Sequence, residues 1–296
     1  MGGAPYNAPH FATSNGQDMP PVDYLLIGHV CRDLTPDGPH LGGTVSFAAL
    51  MVHALGLRVG IVSSAPDDME PLLAPLLQVA EISLVPSSAA TTFTNVYSSA
   101  GRTQILSSRA MPLTLDHVPS DWRSAPIVHL APVADEVDTA LAGQFPDSLV
   151  GVTPQGWMRA WDRDGRVSFK PWVDADRILS AAAAVVMSIE DVQSDESMVT
   201  NLARQARILV VTRGPAGSTL YVSETQQIVP SNPQPETDPT GAGDIYAASF
   251  FHRLQDTGDP LRAARFATIL ARDSVRRIGL ASVPSSKTIQ SAREQT

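Results

Sequence analysis

The sequence predicts an α/β fold with a largely parallel central sheet and a small β-lid over a cleft. Three observations carry this. From Val22 onward, short apolar runs alternate with amphipathic segments, the pattern of βαβ units. The runs are continuously apolar, as strands buried on both faces are, with no alternation of polar residues. Two runs between Thr92 and Ser107 break the rule by being β-branched and polar on one side, so they do not belong inside a parallel sheet.

In order, Met1 to Pro20 are rich in Gly, Pro, Asn and Ser and read as a flexible leader, residues 1–20, with neither the basic start nor the apolar run of a signal peptide. Asp23-Tyr-Leu-Leu-Ile-Gly28 is the first strand. Asp33 to Leu41, with Pro36-Asp-Gly-Pro39 at its centre, supplies a strand and turn beside the lid. A helix from Gly43 to Leu55, a strand over Arg58–Ser63, a helical stretch from Asp67 to Val79 and a short strand at Ile82–Val85 follow. Thr92–Ser98 and Arg102–Ser107 flank Ser99-Ala100-Gly101 as a hairpin. Buried strands are then expected at Ile127–Leu130, Leu149–Val152, Ala184–Met187 and Ile208–Val211. Helical spacers are expected at Glu136–Gln144, Asp174–Ala183 and Asp191–Gln205, and a surface hairpin from Trp157 to Phe169, turning at Asp164-Gly165. No linker or change of composition divides the chain, so residues 21–296 form one domain, with lid segments at about 33–42 and 91–109 inserted.

Composition narrows the function. The chain has 296 residues, 43% hydrophobic and 17% charged, enough to bury a sizeable core. A net charge of −9 with no basic cluster excludes the footprint of a nucleic-acid or anionic-membrane binder and favours a small-molecule partner. No apolar stretch approaches the roughly 20 residues that span a bilayer. Cys31 is the only cysteine, so there is no intrachain disulfide and no multi-cysteine metal site, and a reducing, cytoplasmic location is expected.

The segment Asp238-Pro-Thr-Gly-Ala-Gly-Asp244, leading into the small, apolar run Ile245–Phe251, carries the chemistry. Glycines at a helix start let backbone N–H groups approach a ligand, and the positive end of the helix dipole favours an anion there. Gly241, Ala242 and Gly243 therefore read as an anion hole, and Asp244, in the first turn, as a carboxylate able to take the proton of an attacking hydroxyl. The plainer reading is a left-handed turn followed by an acidic residue that merely suits the dipole; the full seven-residue string favours the functional one. Other phosphate motifs are excluded: Lys170 and Lys287 are the only lysines and neither follows Gly, so there is no P-loop. His252-Arg253 runs into Leu254, which is not a protein-kinase catalytic loop, and Tyr246 stands where a dinucleotide fingerprint needs Gly.

These residues resemble the PfkB carbohydrate kinases, the ribokinase-like family, whose C-terminal signature is an Asp-Thr-x-Gly-Ala-Gly-Asp string; here Pro239 replaces the Thr. The resemblance extends to Gly28-His-Val-Cys-Arg-Asp33, to Gly42-Gly43, to Thr212-Arg-Gly-Pro-Ala-Gly217 and to a final helix ending at Arg277-Ile-Gly279. It implies a ribokinase-like three-layer sandwich with a β-lid, ATP and Mg²⁺, and phosphoryl transfer to a hydroxyl of a sugar, polyol or nucleoside. By resemblance Asp33, Gly42 and Gly43 bind substrate, Thr212, Gly214 and Gly217 contact the nucleotide, and Asp244 is the base. A turn at Asp33, a loop-to-helix joint at Gly42-Gly43 and hairpin corners at Gly214 and Gly217 are the plainer alternatives.

Two departures stand out. Phe47 occupies the place of a sugar-binding Asn in Gly-Gly-x-x-x-Asn and offers no hydrogen bond. The family's Asn-x-x-Glu, tied to Mg²⁺, is Ser188-Ile-Glu-Asp191, so Asp191, through water, and Glu190 compete for that role. Gly-Gly-x-x-Ser-Phe and Thr153-Pro-Gln-Gly156 are similar to inositol-kinase-like members, which points to a cyclic polyol. A nucleoside acceptor, stacked on Phe47, Phe93 and Tyr97, and a non-catalytic ligand-binding protein on the same fold are the alternatives. A monovalent cation shaping the anion hole, and a homodimer through the lid's free edges, are further expectations.

Overall fold

In the computed structural model, residues 19–98, 101–223 and 225–296 are described, with the backbone alone at 97, 98, 101 and 102. The expected leader therefore lies, but for its last two residues, outside the described residues, as does the side chain of Tyr97.

The chain begins with β1 (Tyr24–Ile27), β2 (Cys31–Thr35), β3 (Gly38–Gly42), α1 (Thr44–Ala54), β4 (Val59–Ala65), α2 (Glu70–Leu77) and β5 (Ala80–Pro86). It continues through β6 (Thr91–Ser98), β7 (Gly101–Ser108), β8 (Ile127–Leu130), β9 (Leu149–Val152), β10 (Arg159–Trp161), β11 (Val167–Phe169), α3 (Ala175–Ala181), β12 (Ala184–Ser188), α4 (Glu196–Gln205) and β13 (Ile208–Thr212). It ends with β14 (Gly217–Val222), β15 (Thr225–Pro230), α5 (Ala242–Thr257), α6 (Pro260–Ser274) and α7 (Ser286–Gln295).

Nine strands form the central sheet in the order β15-β14-β13-β12-β9-β8-β1-β4-β5. The seven from β13 to β5 pair in parallel, and β14 and β15 add an antiparallel hairpin at one edge. β1 shows why the parallel strands are apolar throughout. Tyr24 and Leu26 enter the core beneath α1, α5 and α6, while Leu25 and Ile27 enter the one beneath α3 and α4, and all four are fully buried. Three layers follow directly. Beyond β1 the chain adds β4 and β5 on one side and then returns to add β8 on the other, so strand order reverses at β1 and β8. A crevice opens at the carboxyl ends of the strands at such a point.

A second sheet, β3-β2-β6-β7, stands over that end. β2 and β3 form one hairpin, β6 and β7 the other, and β2 joins β6 in parallel, with Asp33 opposite Phe93. The small hairpin β10–β11 lies beside it, and its turn meets the outer edge of β7, where Leu106 N donates to Gly165 O at 2.8 Å.

Three expectations are corrected. The spacer Glu136–Gln144 is no α-helix: only a 3₁₀ segment, Thr139–Gly143, forms there. The helix expected to end at Arg277-Ile-Gly279 stops at Ser274, and α7 follows. The stretch Asp191–Gln205 is interrupted, Gln193 and Ser194 taking positive φ before Asp195 caps α4. Among the described residues no helix is long and apolar enough to cross a membrane.

Candidate active site

One cleft of about 520 Å³ runs along the carboxyl ends of the parallel strands beneath the smaller sheet, within the roughly 300–1,000 Å³ usual for ligand sites. Asp33, Gly43, Phe47, Glu190, Thr212, Gly214, Gly217 and the run Gly241 to Asp244 all lie on its wall; Gly42 and Asp191 do not.

Two helix N-termini frame its centre. At the start of α1, Gly43 has φ of 88°, and a Cβ there would stand 2.5 Å from the His29 carbonyl oxygen, so only glycine lets the chain turn into the helix. Gly42 serves Asp33, since a Cβ would fall 2.1 Å from its Oδ2. The start of α1 is fastened by Ser46, whose Oγ donates to Gly42 O at 2.7 Å and whose N donates to Gly43 O at 3.0 Å.

At the start of α5, Gly241 takes the left-handed region, φ 79°, and a Cβ would overlap the Phe47 ring at 2.2 Å. Phe47 is 4% exposed, so its ring is committed to the packing of α1 on α5 and the cleft sees only its margin. Ala242 N donates to Pro239 O, and Gly243 is exposed with open space where a Cβ would stand. The dipole of a 16-residue helix and an unobstructed backbone together suit an anion there. The loop before it is tied down by Asp238, which accepts from Thr240 N and Gly279 N, both at 2.9 Å. Thr237 N and Asp238 N donate to Val275 O at 2.7 and 3.1 Å.

Asp244 follows in the first turn. Burial pushes its carboxyl up to about 6; the Thr44 hydroxyl and the Arg159 charge pull it down, while Asp191 and Asp33 push it up. Its ionisation falls close to neutrality, where a general base is most effective.

Opposite, Asp33 on β2 and Asn95 and Gln104 on the smaller sheet face Gln155 and Arg159. The Arg159 guanidinium lies 5.5 Å from the centre of the Phe93 ring and donates to Val133 O at 2.9 Å. That face of Phe93 is covered. Thr44, Gln155, Arg159, Asn95 and Gln104 were not singled out by motif; Gln155 alone had a sequence signal, inside Thr153-Pro-Gln-Gly156.

At the other end, Thr212 closes β13 and Gly214 and Gly217 flank the turn into β14. Gly217 is demanded by the hairpin as well as open to the cleft, for a Cβ there would stand 2.2 Å from Val229 O. Pro215, Pro233, Ala271 and Val275, together with Arg272 and Glu236, also line the cleft.

Of the two candidate metal residues, Asp191 is turned inward. Its Oδ2 accepts from Ser188 N at 2.8 Å and its Oδ1 from Gln155 Nε2 at 3.0 Å, closing the turn after β12. Burial raises its acidity range, and these hydrogen bonds oppose that. Glu190 is exposed on the cleft wall instead. Among the described residues no group of three or more His, Cys, Asp or Glu side chains is set to hold a metal. Mg²⁺ does not need such a cage, since it keeps several waters and uses one or two carboxylates with substrate phosphates. Glu190 fits that more limited requirement.

The chain is 22% identical over 275 residues to the cytidine kinase of Thermococcus kodakarensis, covering 87% of this chain and 98% of the relative. Among solved structures it resembles one from the conversion of a pyrophosphate-dependent myo-inositol-1 kinase into a myo-inositol-3 kinase, with TM-score 0.78 at 16% identity, over 92% of this chain and 99% of that one. It resembles Arabidopsis thaliana ribokinase complexed with ribose and ATP with TM-score 0.69 at 16% identity, over 93% and 99%. Residues 179–287, which include the anion-hole string, match the pfkB family carbohydrate kinases. The chain thus has the ribokinase fold.

Proposed function

We propose that the protein is an ATP-dependent kinase that phosphorylates a hydroxyl of a small, neutral sugar or cyclic polyol, myo-inositol-like in kind, with Asp244 as general base. The observation that carries this is Asp244 itself, a carboxylate with its ionisation held near pH 6, standing where two helix N-termini meet in the cleft. The acceptor binds between Asp33 and the side chains of Asn95, Gln104, Gln155 and Arg159, which offer hydrogen bonds to hydroxyls. The donor lies along Thr212, Gly214 and Gly217, with its adenine against the apolar lining residues Pro215, Ala271 and Val275 and its terminal phosphate over Gly241–Gly243. Asp244 takes the hydroxyl proton as the oxygen attacks in line, and the α5 N-terminus stabilises the charge on the transferring group. Mg²⁺, bound with the donor and held through water by Glu190, would screen the phosphate charge.

A nucleoside acceptor is the second reading, favoured by the likeness to a cytidine kinase. Base stacking needs a free aromatic face. Phe47 is spent on Gly241 and Phe93 on Arg159, so the described side chains favour the polyol. A binding protein without activity is the third reading, and the complete Asp238–Asp244 string argues against it.

The test is phosphoryl transfer from ATP, and in parallel from pyrophosphate, to myo-inositol, hexoses and nucleosides. Transfer to a polyol or sugar is expected, with Asp244→Asn folded but reduced by about 10³-fold or more in kcat. Near wild-type turnover in Asp244→Asn would sink the mechanism, and turnover confined to cytidine or another nucleoside would replace the acceptor.

A further inference from the structure

Gln155 lies in the 3₁₀ turn Pro154–Met158 that follows β9, half-buried on the cleft wall. That turn is firmly held. Thr153 N donates to Leu130 O at 3.0 Å and Gly156 N to Pro132 O at 2.9 Å, and a Cβ at Gly156 would stand 2.4 Å from Val133 N, so the backbone presses against the segment after β8. Trp157 Nε1 donates to Val137 O at 2.8 Å. β12 pairs with β9, and the turn that follows it, Ile189–Val192, carries Asp191 behind the cleft wall and not on it. There Asp191 Oδ2 accepts from Ser188 N at 2.8 Å, and Oδ1 accepts from Gln155 Nε2 at 3.0 Å. An ionised carboxylate only accepts, so the end of the Gln155 amide that meets it is the NH₂. The amide is planar, with nitrogen and oxygen on opposite arms. Anchoring Nε2 on Asp191 therefore turns Oε1 the other way, toward the cleft that the side chain lines.

We propose that Gln155 reads a hydroxyl of the acceptor as a hydrogen-bond donor, and that Asp191 is the positioning residue that holds the Gln155 carbonyl toward the cleft. The specificity rests on the proposed acceptor site; the orientation of the amide does not. Asp191→Asn should invert the pair. The oxygen of the new amide still accepts from Ser188 N, its NH₂ then meets Gln155, and Gln155 must flip to offer Oε1 to it and Nε2 to the cleft. A fluorine in place of a hydroxyl is close to it in size and can accept weakly, but it has no proton to donate. It therefore reports which end of the Gln155 amide faces the acceptor.

The experiment compares myo-inositol with its deoxyfluoro analogues, one position at a time, with ATP at pH 8 to keep Asp191 charged. The reacting hydroxyl identifies itself, because its fluorination stops every variant. At one other position the wild type should use the fluoro analogue about tenfold less efficiently in kcat/KM than myo-inositol. Asp191→Asn should shrink that ratio to within about twofold, Gln155→Met should do the same, and the double variant should go no further. A loss in Asp191→Asn that falls equally on all analogues, with the ratio kept, is a structural defect only and overturns the proposal. Should Asp191→Asn not fold, the wild-type ratio persisting at every position in Gln155→Met overturns it instead. A second readout needs no acceptor: ¹⁵N NMR of protein labelled at its Gln side-chain amides, with the Gln155 signal identified by its loss in Gln155→Met. Its NH₂ should exchange about tenfold more slowly than those of the exposed Gln226 and Gln227, and Asp191→Asn should remove that protection. Exchange in the wild type as fast as at Gln226 overturns the orientation. If the amide is protected and no polyol or sugar is turned over, the orientation stands and the acceptor reading falls.

Discussion

Phe47 and Gly241 specify each other. Alanine at 241 would carry a left-handed backbone strain of about 1–2 kcal/mol, and its Cβ would also overlap the Phe47 ring at 2.2 Å. Phe47→Ala removes the obstruction but leaves a cavity between α1 and α5, a loss of about 3–5 kcal/mol. The two changes should not add. Gly241→Ala should cost about 1–3 kcal/mol less in the Phe47→Ala background than in the wild type, measured by urea unfolding of the four proteins of the cycle. Additivity within 0.5 kcal/mol, the spread of independent sites, would mean that strain alone selects the glycine. The anion-hole glycines were legible because a seven-residue string is specific; what the string does not say is that Gly241 is also the seat of a ring twelve positions past β2. Thr44, which lines the cleft at the start of α1, carried no signal at all, since a threonine after Gly-Gly has no distinctive spacing.

Between elements, the joint that holds the smaller sheet to the larger is Glu136 with His29. The Glu136 carboxylate, 1% exposed, accepts from His29 N at 3.0 Å, Val133 N at 3.0 Å and Ala134 N at 2.7 Å, tying the segment after β1 to the one after β8. The His29 ring donates from Nε2 to Met111 O at 2.8 Å and meets the Thr91 hydroxyl at 2.7 Å, which brings in β6 and the exit of β7. Glu136→Ala would leave three buried N–H groups without an acceptor, each worth about 1–3 kcal/mol. A loss of at least about 3 kcal/mol is expected in urea unfolding, with Glu136→Gln falling between it and wild type. Faster hydrogen exchange at His29 and Ala134 should accompany it, and a loss below 1 kcal/mol would count against the joint. The sequence shows the parallel strands plainly, because burial on both faces forces unbroken apolar runs such as Val59–Ala65. It hides β14 and β15, where half the residues of the edge strand are polar and exposed, and it mistakes Glu136–Gln144 for a helix, because Glu136 is spent on a sheet joint.

Across the whole molecule, acid should act through histidines that the fold keeps neutral. Burial lowers His129 to about 3 and, with the Arg293 charge, His252 to about 4. His29 is lowered too, by burial first. In the unfolded chain these groups titrate near 6.5, so between about pH 4 and 6.5 the unfolded state holds protons that the folded state does not, and stability rises with pH. Their contribution is complete above 6.5 and is lost on acidification. Asp244 works the other way. Its folded value of about 6 lies above the ordinary carboxylate, so the folded state holds an extra proton between about 4 and 6 and the gain with pH is partly offset there. Burial raises Asp191 as well, but three histidines are lowered against these two carboxylates raised, and the net slope stays positive. His129 is the cleanest probe: its ring is fully buried, 3.2 Å from the Tyr24 hydroxyl and 3.0 Å from Thr153 Oγ1, and packs edge-on to Phe251 at 4.9 Å. His129→Gln keeps an amide for these hydroxyls and cannot protonate. It should be less stable at pH 7, yet its unfolding free energy, followed by urea titration from pH 4 to 7, should rise less steeply by about one proton. An unchanged slope would mean that His129 is not held neutral by the core.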